Sequence, residues 1–229
     1  MATELLYMKN MQTLSCSAVI LETKENEGKT ILILDQTVFY PQGGGQPYDI
    51  GIIKSEDAQF VFEVREVRFI EGDVYHIGTV KKGEIIIGTK VECNVEKERR
   101  VLNTRLHSAG HLVDLVLKEL SIDWVPGKGY HFPQGAYIEY SGSLDNLDIE
   151  KLKLDIEQEA HEIISRNIET KLVFDETKLQ NGKPMRTVYY GDFGIPCGGT
   201  HVSNLSEIGN IKIRKIKKEK DAIRVSYEM

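Results

Sequence analysis

Between residues 15 and 95 the apolar positions fall into short alternating or β-branched runs, at 15–22, 30–34, 59–69, 74–77 and 90–95. Turn-forming breaks separate them at Glu27-Gly28, Gly43-Gly44-Gly45, Glu71-Gly72-Asp73 and Lys82-Gly83. A period of two marks strands with one buried face, and the breaks mark hairpins. About six short strands at hairpin spacing predict a small barrel or curled sheet, because closure hides the strand edges.

The period changes after Glu96-Lys97-Glu98-Arg99-Arg100. Leu102, Leu106, Ala109, Leu112, Val113, Val116, Leu117 and Leu120 then recur at helical spacing. A second helix is predicted over 147–167, where Leu147, Ile149, Leu152, Ile156, Ala160, Ile163 and Ile164 form the apolar stripe. Residues 135–140 alternate as a strand, and 171–174, 186–190, 208–215 and 222–227 are further strand candidates. The expected class is therefore α+β. A small N-terminal β-barrel domain with a glycine-rich segment, residues 1–96, precedes an α+β domain, residues 97–229, whose helices pack on a largely antiparallel sheet.

A chain of 229 residues, 41% hydrophobic and 28% charged, can bury one large core or two modest ones. Its 29 basic and 35 acidic side chains give a net charge of −6, which excludes a uniformly basic coat and leaves any polyanion to a local patch. Lys212, Arg214, Lys215, Lys217 and Lys218 form one such patch, and Arg99, Arg100 and Arg105 beside the first helix form another. Lysines also protect exposed strand edges, with Ile211, Ile213 and Ile216 as buried neighbours, so both readings of the first patch stand. Three scattered cysteines, Cys16, Cys93 and Cys197, build no disulfide framework and point to a reducing compartment, the cytoplasm. The start lacks an export-signal pattern and no stretch of about 18 apolar residues occurs, so neither export nor a membrane partner is expected.

The most informative chemistry is His107-Ser-Ala-Gly-His111 within the first helical pattern. Residues four apart on a helix share a face, so two imidazoles can meet one ion. Downstream, Cys197-Gly-Gly-Thr-His201 sets a thiolate and an imidazole four apart around two glycines that let the backbone fold both toward one point. Either pair alone has an ordinary explanation, chance on a helix or a buried cysteine. Together they make a Cys-His-His-His set whose sulfur and nitrogen donors favour zinc over magnesium or calcium, with iron and cobalt left open on ligand type. Of the remaining histidines, His161 falls on the polar side of its helix. His131, in a Gly-Tyr-His-Phe-Pro loop, either is structural or lines the site. The run Gly43-Gly44-Gly45 suits a tight turn as well as a close approach to a ligand. Cys16 and Cys93 read as core, Tyr190 and Asp192 as turn residues or supports for a ligand histidine.

Residues 105–112 (RLHSAGHL) and 196–202 (PCGGTHV) resemble the two zinc motifs of the alanyl-tRNA synthetase editing domain and of its freestanding relatives, the AlaX proteins. Residues 35–51 (DQTVFYPQGGGQPYDIG) and 207–212 (EIGNIK) extend the resemblance over nearly the whole chain. Residues 127–140 (GKGYHFPQGAYIEY) look like the freestanding form, and the glycine-rich motif resembles the medium-length class. The family also shades into the threonyl-tRNA synthetase editing domain, but the front glycines and Gly198-Gly199 favour the alanine side. The resemblance implies a Zn2+ site of His107, His111, Cys197 and His201, which are also the catalytic candidates. It implies substrate contacts from Thr37, Gln42, Gly43, Gly44, Gly45 and Gln46, with Thr37 or Gln46 meeting a serine hydroxyl. The implied activity is trans-editing hydrolysis of tRNA(Ala) mischarged with serine or glycine.

Such an activity has a physical rationale, since a pocket for a small side chain rejects an added hydroxyl only about 10²-fold and a second hydrolytic site restores fidelity. No GxxxxGK[ST] loop occurs, so no amino-acid activation is expected. Four protein ligands complete a tetrahedron, the pattern of a structural zinc, whereas catalytic zinc keeps a position open. A non-catalytic tRNA-binding module with a structural zinc is accordingly the alternative, and a zinc hydrolase of another ester a third.

Overall fold

The structure, a computed structural model, describes residues 2–180 and 183–229. It divides into two compact units. The first holds the chain up to Val101 apart from Gly44–Gln46, together with Leu179–Lys183; the second holds Gly44–Gln46 and the remainder.

In the first unit a two-residue strand β1 (Glu4–Leu5) and a helical turn α1 (Leu6–Lys9) lead into β2 (Ser15–Asn26) and β3 (Lys29–Leu34). A short β4 (Gln36–Thr37) runs parallel to β1. β5 (Gly51–Ser55), β6 (Val61–Ile70), β7 (Asp73–Lys82) and β8 (Lys90–Val95) complete a closed barrel in the order β2-β3-β7-β6-β5-β8. Alternation predicted it: Ile20, Leu32, Leu34, Phe62, Val64, Val67 and Val74 all point into its core. The short β5, Gly-Ile-Ile-Lys-Ser, is absent from the sequence reading because one Ile-Ile pair carries no periodicity. Cys16 and Cys93 face each other across β2 and β8, at the expected core location. The buried Arg100 guanidinium binds the Asp49 carboxylate and the carbonyls of Met11 and Val38, the former at 3.1 Å.

In the second unit α2 (Lys97–Glu119, of which residues from Leu102 onward belong here) is followed by β9 (Val125–Tyr130), β10 (Ala136–Ser141) and α3 (Ile149–Ser165). Asp148 caps α3 by accepting the Lys151 N–H at 3.1 Å. β11 (Thr170–Gln180), β12 (Lys183–Tyr190) and β13 (Phe193–Pro196) form one sheet in which β12 and β13 run antiparallel. β14 (Lys212–Glu219) and β15 (Ala222–Glu228) join β10 and β9 in a second, ordered β14-β15-β10-β9. The strand expected from residue 208 starts only at Lys212, because Leu205–Ile208 winds into a 3-10 turn closed by an Asn204/Glu207 capping box. Ile138, Tyr140, Ile213, Val225 and Tyr227 on one sheet face pack against Ala109, Leu112, Val116, Ile156 and Ile163 of the helices. The protein is thus an α+β fold with a small barrel. Among the described residues no helix is long and apolar enough to cross a membrane.

Candidate metal centre

One turn of α2 separates His107 from His111, and their rings share a face. The segment after β13 returns Cys197 and His201 to that face, so that one donor atom from each of the four residues lies within 4.8 Å of all the others. His107 Nε2 is 3.1 Å from His111 Nε2 and 3.1 Å from Cys197 Sγ. Two of the imidazoles, His111 and His201, are oriented from behind. The Asp114 carboxylate sits 3.1 Å from His111 Nδ1 and accepts the Tyr140 hydroxyl at 2.7 Å. A carboxylate only accepts, so Nδ1 carries a proton and Nε2 is the nitrogen that would meet a metal. Tyr190 places its hydroxyl 2.8 Å from His201 Nδ1, the supporting role considered for it, whereas Asp192 is exposed in the turn between β12 and β13.

This arrangement fits a soft divalent cation. Two imidazole nitrogens and a sulfur converging at 3.1 Å are held together by a shared proton or by a cation between them. A tetrahedral zinc with three nitrogens and one sulfur needs donor separations of roughly 3.3–3.6 Å, given its usual bond lengths. The titration behaviour agrees. Burial would push His111 down, but the Cys197 thiolate and the Asp114 carboxylate outweigh it and hold its pKa at about 10. The Cys197 thiol, which burial alone would raise, is lowered by the His111 charge and by the Gly199 N–H. His107 is driven well down by burial and by its imidazole neighbours. Protein alone thus places a cation against the thiolate, the charge pattern that a metal would take over.

The Cys197–His201 turn is clamped. Arg186, buried on β12, donates from Nε to the Cys197 carbonyl at 2.9 Å and from its other arm to the Gly199 carbonyl. Gly199 has no room for a side chain: a Cβ there would stand 2.4 Å from His107 Cε1. Gln46 donates from Nε2 to Thr200 Oγ1 at 2.9 Å and accepts the Thr200 N–H at 3.0 Å, and Thr104 Oγ1 is 2.6 Å from Thr200 Oγ1. Gly45, at a φ of +75°, brings its chain so close to β9 that a Cβ would lie 2.3 Å from the Gly129 carbonyl oxygen. Its own carbonyl accepts the His131 N–H at 2.8 Å.

His131 therefore lines the cluster, with its ring centroid 4.6 Å from that of His107. Its Nδ1 is 2.6 Å from the Tyr227 hydroxyl, which donates onward to the Leu106 carbonyl at 2.8 Å, and burial lowers its pKa to about 3. Asp114 was legible as an acid three residues beyond a ligand on one helix. Arg186, Thr200 and Tyr227 carried no such mark.

The remaining candidates are distributed as follows. Gly44, Gly45 and Gln46 belong with the second unit, whereas Thr37, Gln42 and Gly43 belong with the first. The Thr37 hydroxyl accepts the Phe39 N–H at 3.0 Å and lies 2.8 Å from His76 Nε2. His76 Nδ1 faces the Leu32 carbonyl at 3.1 Å and so carries the ring proton, which makes Thr37 the donor to Nε2. Gln42 donates its N–H to the Val67 carbonyl at 3.1 Å, and the Gly43 carbonyl accepts the Tyr40 hydroxyl at 2.8 Å. Among the basic candidates Arg99 donates to the Tyr48 carbonyl at 2.9 Å, Arg100 is consumed by its buried ion pair, and Arg105 donates to the Ile208 carbonyl at 2.7 Å. On β14, Arg214 is 3.4 Å from Glu228 and Lys217 pairs with Glu219, while Lys212, Lys215 and Lys218 are exposed.

Residues 4–99 match the family described as tRNA synthetases class II (A), and residues 185–225 match the threonyl and alanyl tRNA synthetase second additional domain. The alanyl-tRNA editing protein AlaX-L of Pyrococcus horikoshii is 33% identical over 98% of this chain and 57% of its own length. The chain is thus similar to the alanyl-tRNA editing proteins of the AlaX type. Alanine–tRNA ligases of Streptomyces avermitilis, 32% identical over 80% of the chain, and Methanobrevibacter smithii, 30% identical over 96%, are similar as well. The chain spans 22% and 26% of those ligases and somewhat over half of the AlaX-L protein.

Proposed function

We propose that the protein is a trans-acting, zinc-dependent hydrolase that cleaves the ester joining serine, and also glycine, to the 3′ end of tRNA(Ala) in the cytoplasm. The observation that carries this reading is the convergence of His107, His111, Cys197 and His201 donor atoms within 4.8 Å, in a chain whose relatives include an alanyl-tRNA editing protein. Bound zinc would supply Lewis acidity at the ester carbonyl or lower the pKa of a water. The protein's own residues set up the rest. Asp114 fixes the tautomer of His111, Tyr190 the rotation of His201, and Gln46 with Arg186 the path of the turn between Cys197 and His201. Gly44, Gly45 and Gln46 thereby serve the reaction as framework beside the cluster, and the exposed lysines of β14 supply charge for the RNA.

The four-donor count favours a second reading, a tRNA-binding module in which zinc only holds the fold. Metal-stripped and zinc-restored protein incubated with seryl-, glycyl- and alanyl-tRNA(Ala) separates the two. Release of serine only when zinc is present is expected, with alanyl-tRNA spared. Full hydrolysis without metal, or RNA binding with no hydrolysis in either state, overturns the catalytic assignment.

A further inference from the structure

The sheet β14-β15-β10-β9 buries one face on the helices, and its other face carries an arrangement that the metal centre does not use. Tyr137 alternates outward on β10, between the buried Ala136 and Ile138, and stands directly opposite Tyr130 of the edge strand β9. The two rings are nearly parallel, 18° apart with centroids at 5.2 Å. Phe132 stacks on Tyr130 at 4.3 Å and 13°. Beyond Tyr137 the Arg224 guanidinium lies 4.0 Å from the ring centroid, fixed there by Glu139 at 2.9 Å and Glu219 at 2.6 Å. Phe132, Tyr130, Tyr137 and Arg224 are thus consecutive flat neighbours, all only half-buried.

Stacked cross-strand rings stabilise the sheet itself, and here they cover one another: Tyr130 lies between Phe132 and Tyr137, and Tyr137 between Tyr130 and Arg224, whose charge is met by Glu139 and Glu219. An unpaired base can therefore extend the run only from Phe132, since bases stack on open ring faces and phosphates meet nearby cations. The cations are in register. Ser226 pairs with Tyr137, and the exposed Lys215 pairs with Ser226, which puts Lys215 on the same face two strands, roughly 9–10 Å, from the rings. The Phe132 end of the run is one residue from His131, whose ring packs on His107. We propose that an unpaired 3′ nucleotide of the tRNA acceptor end stacks on Phe132, extending the Phe132–Tyr130–Tyr137 run. This rests on the editing reading only in naming the RNA.

Fluorescence anisotropy with two acceptor-stem hairpins, one ending in an unpaired 3′-ACCA and one flush, tests it. The wild-type protein is expected to prefer the overhang. Phe132→Leu, which keeps apolar bulk but loses the ring, should weaken overhang binding about tenfold and leave flush-end binding unchanged, since one stacked base contributes about that much. Phe132→Tyr should retain it. Zinc content and melting temperature, measured on each variant, should match wild type. The proposal is overturned by a wild type indifferent to the overhang, by a Leu variant that keeps the preference, or by Leu and Tyr variants that fall alike. Failure of the editing reading shows separately, as absence of serine release by the zinc-loaded wild type.

Discussion

The side-chain amide of Gln46 holds Thr200 at both its hydroxyl and its backbone N–H, across 154 residues of sequence. Gln46 and Thr200 are fully buried, and His201 follows directly. Gln46→Leu keeps the volume but strands the buried Thr200 N–H and leaves the Thr200 hydroxyl to Thr104 alone, at a cost of about 1–3 kcal/mol. The turn that presents Cys197 and His201 loses its brace with it. Zinc affinity, measured by competition with a chromophoric chelator, should fall about 10- to 100-fold, the usual effect of losing a group that orients a ligand. Unchanged affinity in a folded Gln46→Leu protein would show that Arg186 alone suffices.

Gly199 offers a sharper case because no ligand is altered. A methyl group there would overlap the His107 ring, with 2.4 Å to Cε1. His107 sits on the rigid α2 and cannot retreat without breaking its convergence with His111. Gly199→Ala should therefore bind less than one zinc per chain while retaining wild-type circular dichroism. Stoichiometric zinc by elemental analysis would contradict this.

Both residues show where the sequence was readable. His107, His111, Cys197 and His201 could be paired from spacing alone, because a helix fixes i,i+4 neighbours and a double glycine lets a turn close. The barrel followed from alternation in strands such as β3 and β7. Nothing local marks Gln46 as the partner of Thr200, or β9, Val-Pro-Gly-Lys-Gly-Tyr, as a strand, since edge strands tolerate proline and glycine and show no alternation. Arg100 misled for a related reason. An arginine in a basic run ordinarily faces solvent, and only the distant Asp49 reveals that this one is buried.

That ion pair has its own consequence. Arg100 is 2% exposed and Asp49 fully buried, and the guanidinium is surrounded by acceptors. Removing one partner leaves an uncompensated buried charge, worth about 3–5 kcal/mol. Asp49→Asn should lower the unfolding free energy by that amount in urea titrations, and Arg100→Met should act through folding, with RNA affinity of the surviving native protein intact. Selective loss of RNA binding in a fully stable Arg100→Met variant would restore Arg100 to the nucleic-acid surface.

Zinc binding should be strongly pH-dependent. In the metal-free protein His111 holds a proton up to a pKa of about 10, against the Cys197 thiolate and Asp114. A metal must displace that proton, so affinity rises with pH, about tenfold per unit for each proton released, throughout the range below 10. Chelator competition at pH 6, 7 and 8 should give a slope of one or more in log affinity. Replacing Asp114 by Ala removes a support of the raised pKa and should flatten the slope while lowering affinity at pH 8. A pH-independent affinity would mean that the His111 ring is already unprotonated.

The barrel carries a second titration, far simpler in its surroundings. His76 is fully buried, and burial lowers its pKa from 6.5 to about 4, while its Nε2 must remain unprotonated to accept from Thr37. The unfolded chain takes up this proton at 6.5 and the native one only near 4. Stability is therefore fully present above pH 6.5 and declines as pH falls from 6.5 to 4, by about 3 kcal/mol from this group. Thr37→Val should remove the Thr37 donor and leave the Phe39 N–H without its acceptor, lowering stability by about 1–3 kcal/mol at pH 7. His76→Gln should give a shallower decline across the acid window, by up to about 1.4 kcal/mol per pH unit. Urea unfolding of the whole chain at half-unit intervals from pH 7.5 to 4 reads both effects. Parallel profiles for wild type and His76→Gln would show that the imidazole is protonated without penalty, and that its contact with Thr37 does not depend on a neutral ring.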